Sequence, residues 1–262
     1  MFLDLNIPWP EVTPLQAYAH LTPILKLCAT LGYDVVALNA TVTTTKGAKD
    51  FLQRFMTIDI FEKLVLENPK LKILKRVTLA LSDASPHQNI AQLVEDGWQI
   101  IAVCPRTEKQ LQSCASALDV DIICIDTTQR LPYVLRHKPV CSAVARGVRF
   151  EITYSSAVTG NAKQCIANAS MLFRASRNRG IIVSSGVRSC QGLRAPMDIA
   201  NLVSLWGLKT SAAVNSISSI PEEAATQGIL RAKSAKQTII PMVILDKSSE
   251  LKLPPSKKLK KQ

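Results

Sequence analysis

Seven short, almost unbroken apolar runs recur along the chain, and a helical pattern follows most of them. Such runs do not alternate apolar with polar residues, and this is typical of strands that are buried on both faces of a parallel sheet. Strands alternating with helices predict an α/β fold. The predicted strands are residues 2–6, 35–39, 76–82, 100–104, 122–126, 149–154 and 181–185.

The number and spacing of these units favour a closed barrel over an open sheet. Predicted helices cover residues 13–31, 58–66, 87–95, 107–117, 162–178 and 196–206. No GxGxxG motif follows the first strand, which weakens a dinucleotide-binding interpretation. Beyond Gly207 two short helices over 210–230 replace an eighth β/α unit, and the second has a capping-box spacing at Ser219 and Glu222. We therefore predict a TIM-like, seven-stranded, incomplete parallel β/α barrel over residues 1–245.

Charge is distributed unevenly between the two halves. The net charge is +12, yet residues 1–130 carry 12 basic and 14 acidic residues, and residues 131–262 carry 20 basic and 6 acidic residues. A positive excess confined to one half predicts a polyanionic partner, namely nucleic acid, phosphoinositide or an acidic protein. No apolar run reaches 18 residues, so no membrane partner is expected.

Residues 246–262 (DKSSELKLPPSKKLKKQ) are predicted to form a disordered Lys-rich tail. Its basic cluster resembles a nuclear-import signal or a loose RNA-binding arm, and a merely solubilising tail is the alternative. The residues that carry this interpretation are Lys257, Lys258, Lys260 and Lys261.

Catalytic chemistry finds little support in the sequence. Polar residues do follow several strands, but strand ends meet water in any barrel, and no nucleophile–base pair is evident. The three histidines, His20, His87 and His137, are scattered, and no HxH or HExxH motif occurs. We expect no catalytic residue, no bound metal and no cofactor in this chain. The strand-end set comprises Asp4, Asn6, Asn39, Ser82, Asp83, Arg106, Asp126, Glu151, Tyr154, Ser184 and Ser185.

Phosphate binding is better supported, in the loop that follows the seventh strand. Residues 180–196 (GIIVSSGVRSCQGLRAP) contain two glycines beyond the strand, together with Arg188 and Arg194. Barrels often bind phosphate in such loops through backbone N–H groups. The alternatives are that the glycines only form turns, or that this face binds an acidic protein. A second predicted RNA-binding set follows the helical pair and comprises Arg231, Lys233 and Lys236.

Six stretches of the sequence are informative as an ordered set. They are 31–39 (LGYDVVALN), 73–79 (ILKRVTL), 103–109 (VCPRTEK), 118–125 (LDVDIICI), 146–154 (RGVRFEITY) and 194–202 (RAPMDIANL). In this order and spacing they resemble the thirty-kilodalton protein subunit of ribonuclease P and ribonuclease MRP. The resemblance covers roughly residues 1–245.

The resemblance implies a barrel of the polymerase and histidinol phosphatase type. Those hydrolases have His-x-His after the first strand, where this chain has Asp4-Leu5-Asn6, so the metal ligands are missing. A metal-dependent phosphoesterase of this type is the alternative function. The resemblance instead implies a structural subunit of a nuclear, nucleolar ribonucleoprotein whose RNA carries Mg²⁺ and catalysis.

The same resemblance implies a set of partners. They are ribonuclease P RNA, MRP RNA, precursor tRNA held by the whole particle, a ferredoxin-like protein subunit and a second copy of the chain. The implied processes are removal of the 5′ leader from precursor tRNA and processing of ribosomal RNA.

Overall fold

Seven parallel strands form one sheet in which the order of the strands follows the order of the chain. This is seen in a computed structural model that describes residues 1–81 and 90–233. The strands are β1 (Leu3–Pro8), β2 (Val35–Val42), β3 (Lys72–Ala80), β4 (Ile100–Cys104), β5 (Ile122–Cys124), β6 (Arg149–Thr153) and β7 (Ile181–Ser184). The sheet curls into a nearly closed barrel, which confirms the predicted fold class.

Helices connect the strands and cover the outside of the barrel. They are α1 (Pro14–Leu31), α2 (Thr45–Arg54), α3 (Ile58–Glu67), α4 (Ile90–Glu95), α5 (Glu108–Ser116), α6 (His137–Ala145), α7 (Ser155–Thr159), α8 (Ala162–Ser176), α9 (Pro196–Leu205), α10 (Thr210–Asn215) and α11 (Ser219–Lys233). Within the described ranges, no helix has the length and apolarity required to cross a membrane.

Three of these helices, α2, α6 and the five-residue α7, were not predicted from the sequence. The α2 segment is polar, contains Gly47 and buries little more than Ala48 and Phe51, so its apolar pattern is weak. Its first turn is nevertheless stabilised, because the Thr44 side chain accepts a hydrogen bond from the Gly47 N–H. Helix α6 is equally weak in pattern, because only Val140 and Ala143 are buried along its nine residues.

The half of the barrel interior that lies at the amino ends of the strands is apolar, and α11 closes it. Ala224, Ala225 and Ile229 of this helix pack onto the inward-facing strand residues. A Cβ atom at Gly228 would lie 2.1 Å from the carbonyl oxygen of Gln99, so only glycine permits this approach. The strand residues in this cluster are Leu3, Leu5, Val35, Ala37, Leu74, Ile100, Ala102, Ile122 and Ile182.

The seam between β7 and β1 is bridged by other contacts instead of a strand ladder. At the amino end, the N–H groups of Leu3 and Val183 donate to the carbonyls of Ile217 and Ser216, which lie between α10 and α11. At the carboxyl end, the Gly186 N–H donates to the Asn6 carbonyl at 2.9 Å. The predicted incomplete barrel is thus a seven-stranded barrel with one seam filled by a loop.

Candidate nucleic-acid interface

An ion pair fills the centre of the barrel above the apolar half. Arg76 of β3 and Glu151 of β6 are completely buried, and both guanidinium NH groups lie 2.5 Å from the two carboxylate oxygens. Arg76 also donates to the carbonyl oxygen of Leu5 at 2.7 Å. Because the barrel brings β3 and β6 face to face across its interior, the two charges neutralise each other away from water.

Polar side chains from five further positions complete this central network. The Oε1 atom of Glu151 also accepts from the Ser184 hydroxyl at 2.7 Å, and its Oε2 atom accepts from the Asn6 amide at 3.1 Å. Cys124 donates its thiol to the same Oε2 atom at 3.1 Å. Asn39 and Thr78 extend the chain of hydrogen bonds from Asn6.

Both members of the ion pair are held in their charged forms. Burial alone would raise the pKa of Glu151, but attraction to Arg76 and hydrogen bonds from Arg76, Ser184 and Cys124 hold the pKa below its ordinary value. Burial would likewise lower the pKa of Arg76, but Glu151 outweighs it and raises that pKa. Both Glu151 oxygens are fully used, so the carboxylate has no open position for a metal ion.

The two described histidines, His20 and His137, do not converge on the barrel centre. His20 lies exposed on α1, and the Nδ1 atom of His137 at the start of α6 lies 2.8 Å from the Ala175 carbonyl oxygen. His87 lies outside the described residues. Within residues 1–81 and 90–233, no three His, Cys, Asp or Glu side chains are grouped so that they could hold a metal ion.

A cavity of about 940 Å³ opens above the ion pair at the carboxyl ends of the strands. Of the strand-end residues predicted from the sequence, Asn6, Asn39, Arg106, Asp126 and Glu151 line this mouth. Ser82 and Asp83 lie outside the described residues. Much of the remaining wall carries neutral hydroxyl groups, from Thr41, Thr78, Thr127, Thr128, Thr153, Ser155, Ser156, Thr159 and Ser189.

The two arginines of the loop after β7 have different surroundings. Arg188 is exposed on the rim of the mouth and also borders an adjoining cavity of about 410 Å³. No salt bridge joins it to any described residue. Arg194 is partly buried, and its guanidinium donates to the carbonyls of Gln191 and Leu193, both at 2.8 Å. Arg194 therefore holds the loop in shape, and Arg188 is the arginine that is open to a ligand.

Of the second predicted basic set, Arg231 is not part of this surface. Arg231 lies at the opposite end of the barrel, where its two NH groups pair with the buried carboxylate of Asp121 at 2.7 and 2.8 Å. This pair anchors α11, so the geometry argues against Arg231 as an RNA ligand. Lys233 is the last residue of α11, and Lys236 lies outside the described residues. The tail lysines, Lys257, Lys258, Lys260 and Lys261, also lie outside them.

The central ion pair was missed at the level of sequence, although a signal for it exists. Arg76 is followed by Val77 in β3, and Glu151 lies between Phe150 and Ile152 in β6. A charge in a strand that is buried on both faces requires an opposite charge nearby. Which two strands supply the pair is set only by closure of the barrel.

A family model for RNase P subunit p30 matches residues 1–233, which is nearly all of the chain. The chain belongs to the RNase P subunit p30 family. This confirms the family indicated by the six sequence stretches.

Members of the p30 family from fungi and a mammal are similar to this chain over most of their length. The ribonuclease P/MRP protein subunit RPP1 of Saccharomyces cerevisiae is 32% identical over 250 residues, covering 92% of this chain and 85% of that protein. A probable ribonuclease P protein subunit 3 of Schizosaccharomyces pombe is 35% identical, covering 91% and 96%. The p30 subunit of Mus musculus is 32% identical, covering 71% and 72%.

Solved structures support the barrel fold of the p30 family chain. A chain of an archaeal ribonuclease P determined with mature tRNA aligns with a TM-score of 0.61 at 13% identity, covering 94% of this chain and all of that one. A. niger ochratoxinase aligns with a TM-score of 0.51 at 11% identity, covering 85% and 70%. At these identities the likeness shows the fold alone.

Proposed function

We propose that this chain is a non-catalytic protein subunit of ribonuclease P and ribonuclease MRP that supports the RNA of both particles. Its relatives carry those names, and its fold matches a chain from an archaeal ribonuclease P. In this proposal the RNA supplies Mg²⁺ and the chemistry, which removes the 5′ leader of precursor tRNA in one particle and processes ribosomal RNA in the other.

The ion pair between Arg76 and Glu151 is the observation that supports a non-catalytic role for this chain. A metal-dependent phosphoesterase requires carboxylates or imidazoles that are open to an ion at the strand ends. Here the buried carboxylate is saturated by five donors, and a guanidinium occupies the space beside it. A cation placed next to Arg76 would be repelled, so the geometry disfavours the phosphoesterase alternative.

RNA contact is proposed at the barrel mouth, with Arg188 as the main phosphate ligand. The residue is exposed, belongs to the half of the chain with the positive excess, and borders a wall of neutral hydroxyls that can donate to phosphate or ribose oxygens. A ferredoxin-like subunit and a second copy of the chain remain proposed partners. Nuclear and nucleolar location, with targeting by the lysine tail, is likewise proposed.

The test of this function is recovery of the RNAs with the chain. The full-length chain, tagged and purified from its own cells under native conditions, should enrich both the ribonuclease P RNA and the MRP RNA at least tenfold over an untagged strain. Sequencing of the bound RNA measures this. Absence of both RNAs, together with phosphatase turnover by the isolated chain, would support the phosphoesterase instead.

Replacing Arg188 by glutamine should weaken binding to the RNA subunit without much sequence dependence. A phosphate contact positions the protein and carries little base information. The slope of log affinity against log salt should fall by roughly 0.7–0.9 for the lost contact, as measured by filter binding between 50 and 300 mM salt. Lys70→Gln, an exposed charge change of equal size in the acidic half, is the control. An unchanged slope for Arg188→Gln would remove this residue from the interface.

A further inference from the structure

A separate cavity, of about 580 Å³, lies between the carboxyl-terminal ends of α8 and α9. Three exposed basic residues line it: Arg174 and Arg177 at the end of α8, and Lys209 after α9. None of the described residues that line the cavity is acidic. We call this feature the basic pocket. Phe173, Asn178, Trp206 and Gly207 form much of the rest of its wall.

The backbone of the basic pocket holds one of these cations in an unusual conformation. Arg177 and Asn178 both have positive φ, at 55° and 59°, in the left-handed region where glycine is normally found. The turn is closed by a hydrogen bond of 3.0 Å from the Asn178 N–H to the Phe173 carbonyl. A glycine at 177 would adopt this turn at lower cost, so the arginine contributes something beyond helix termination.

Stabilisation of the end of α8 explains only some of the basic residues around the pocket. Cations in the last turn of α8 complement the partial negative charge of its carbonyl groups, and the Arg174 Nε donates to the Ser170 carbonyl at 3.2 Å. Lys209, however, comes from a different connection and faces the same cavity. For none of the three does a salt bridge to a described residue occur, so their charges remain available to an external anion.

We infer that the basic pocket binds an RNA phosphodiester backbone. The inference rests on the proposed function and adds a second contact to it. Spaced cations around a concave surface without carboxylates match consecutive phosphates, which are the groups that dominate protein affinity for RNA.

The basic pocket lies at the opposite end of the barrel from the mouth. Helix α8 runs from the carboxyl end of β6 back to the amino end of β7. The Gly180 carbonyl, two residues after Asn178 of the pocket, accepts a hydrogen bond from the N–H of Phe150 near the start of β6. Arg188 follows the carboxyl end of β7. One chain therefore contacts RNA at both ends of its barrel and bridges two RNA segments.

The experiment uses the full-length chain with the RNA subunit of its own particle. In the pocket variant, Arg174→Gln, Arg177→Asn and Lys209→Gln are combined, because asparagine tolerates the left-handed conformation at 177. The slope of log affinity against log salt should fall by roughly 2.1–2.7 for the three lost contacts, at roughly 0.7–0.9 per contact. A control variant with Lys26→Gln, Lys49→Gln and Lys70→Gln makes the same charge change on exposed positions elsewhere and should keep the slope.

Hydroxyl-radical footprinting of the RNA distinguishes contacts made at the basic pocket from contacts made at the barrel mouth. The pocket variant should lose protection at one RNA segment, and Arg188→Gln at a different one. The single variant Arg177→Lys keeps the charge at this position, so its salt slope should remain close to that of the wild type. If the wild-type chain binds RNA and the pocket variant keeps the same salt slope and footprint, the inference about the basic pocket is wrong. The proposed function would not be affected by that result.

Two further outcomes are decisive. Loss of a protein subunit from the reconstituted particle, with an unchanged salt slope, would show that the basic pocket binds protein and would overturn the inference. Failure of the wild-type chain to bind either RNA would overturn the proposed function itself. Circular dichroism of each variant should match the wild type, because the replaced side chains are exposed.

Discussion

Glu151→Gln should lower the free energy of unfolding by about 3–5 kcal/mol. The substitution keeps the shape of the side chain but removes its charge, and so leaves the guanidinium of Arg76 completely buried without a counter-ion. Urea unfolding followed by circular dichroism at pH 7.5 measures the loss. Asp50→Asn, an exposed carboxyl-to-amide change on α2, is the matched control and should change stability by less than about 0.5 kcal/mol.

A double variant distinguishes an uncompensated charge from a general packing defect. Arg76→Met combined with Glu151→Gln removes both charges, and should therefore cost clearly less than the sum of the two single variants. If the two single losses are small and simply add, the ion pair is not the element that organises the barrel centre. That result would also weaken the argument that the centre is structural and not catalytic.

The seven strands were predictable because strands buried on both faces are mostly apolar. That pattern depends only on local sequence, and the structure confirms all seven strands. Strand β3 begins earlier than predicted, at Lys72, since its first residues pair with β2 although they include Lys75. Helix α2 could not be predicted from apolar periodicity, because its helical conformation depends on the Thr44 cap and on burial of Phe51.

The roles of the basic residues were less predictable than the fold. The sequence does not distinguish three of the arginines that it predicts to bind RNA. In the structure, Arg188 lies on the rim of the barrel mouth and Arg194 donates to loop carbonyls. Arg231 instead pairs with Asp121. Those differences arise from contacts between residues far apart in the chain. Asp121, for example, precedes Arg231 by 110 positions. A count of charged residues identifies the basic half of the chain. It does not show which basic side chains form contacts within the folded protein and which remain open to a ligand.

Another buried carboxylate, Asp4 on β1, forms no salt bridge with any described residue. Its Oδ1 atom accepts from the N–H groups of Ser185 and Asn6, both at 3.1 Å, and so helps to close the seam between β1 and β7. Its Oδ2 atom is buried without a hydrogen-bond partner among the described residues. Burial raises the pKa of Asp4 to about 6, although the hydrogen bonds from Ser185 and Asn6 oppose the shift.

The raised pKa of Asp4 makes the protein less stable as pH rises. The folded protein holds this proton more tightly than the unfolded chain, so the stabilisation is fully present below pH 4 and is lost between about pH 4 and pH 6. A shift from 3.8 to about 6 corresponds to roughly 3 kcal/mol. The pKa of Glu151 is shifted the opposite way, so its contribution is lost only as pH falls below the ordinary glutamate range.

Asp4→Asn should remove this pH dependence while keeping an oxygen that accepts from Ser185 and Asn6. Relative to the wild type, the variant should therefore gain roughly 3 kcal/mol of stability between pH 4 and pH 7.5. The measurement is the difference between the two urea unfolding free energies at half-unit pH steps. Every other titrating group is common to both proteins, and the pH dependence of those groups cancels in that difference. Asp50→Asn should give a flat difference curve. A flat curve for Asp4→Asn as well would mean that Asp4 ionises without cost, and that the seam has a donor for its second oxygen.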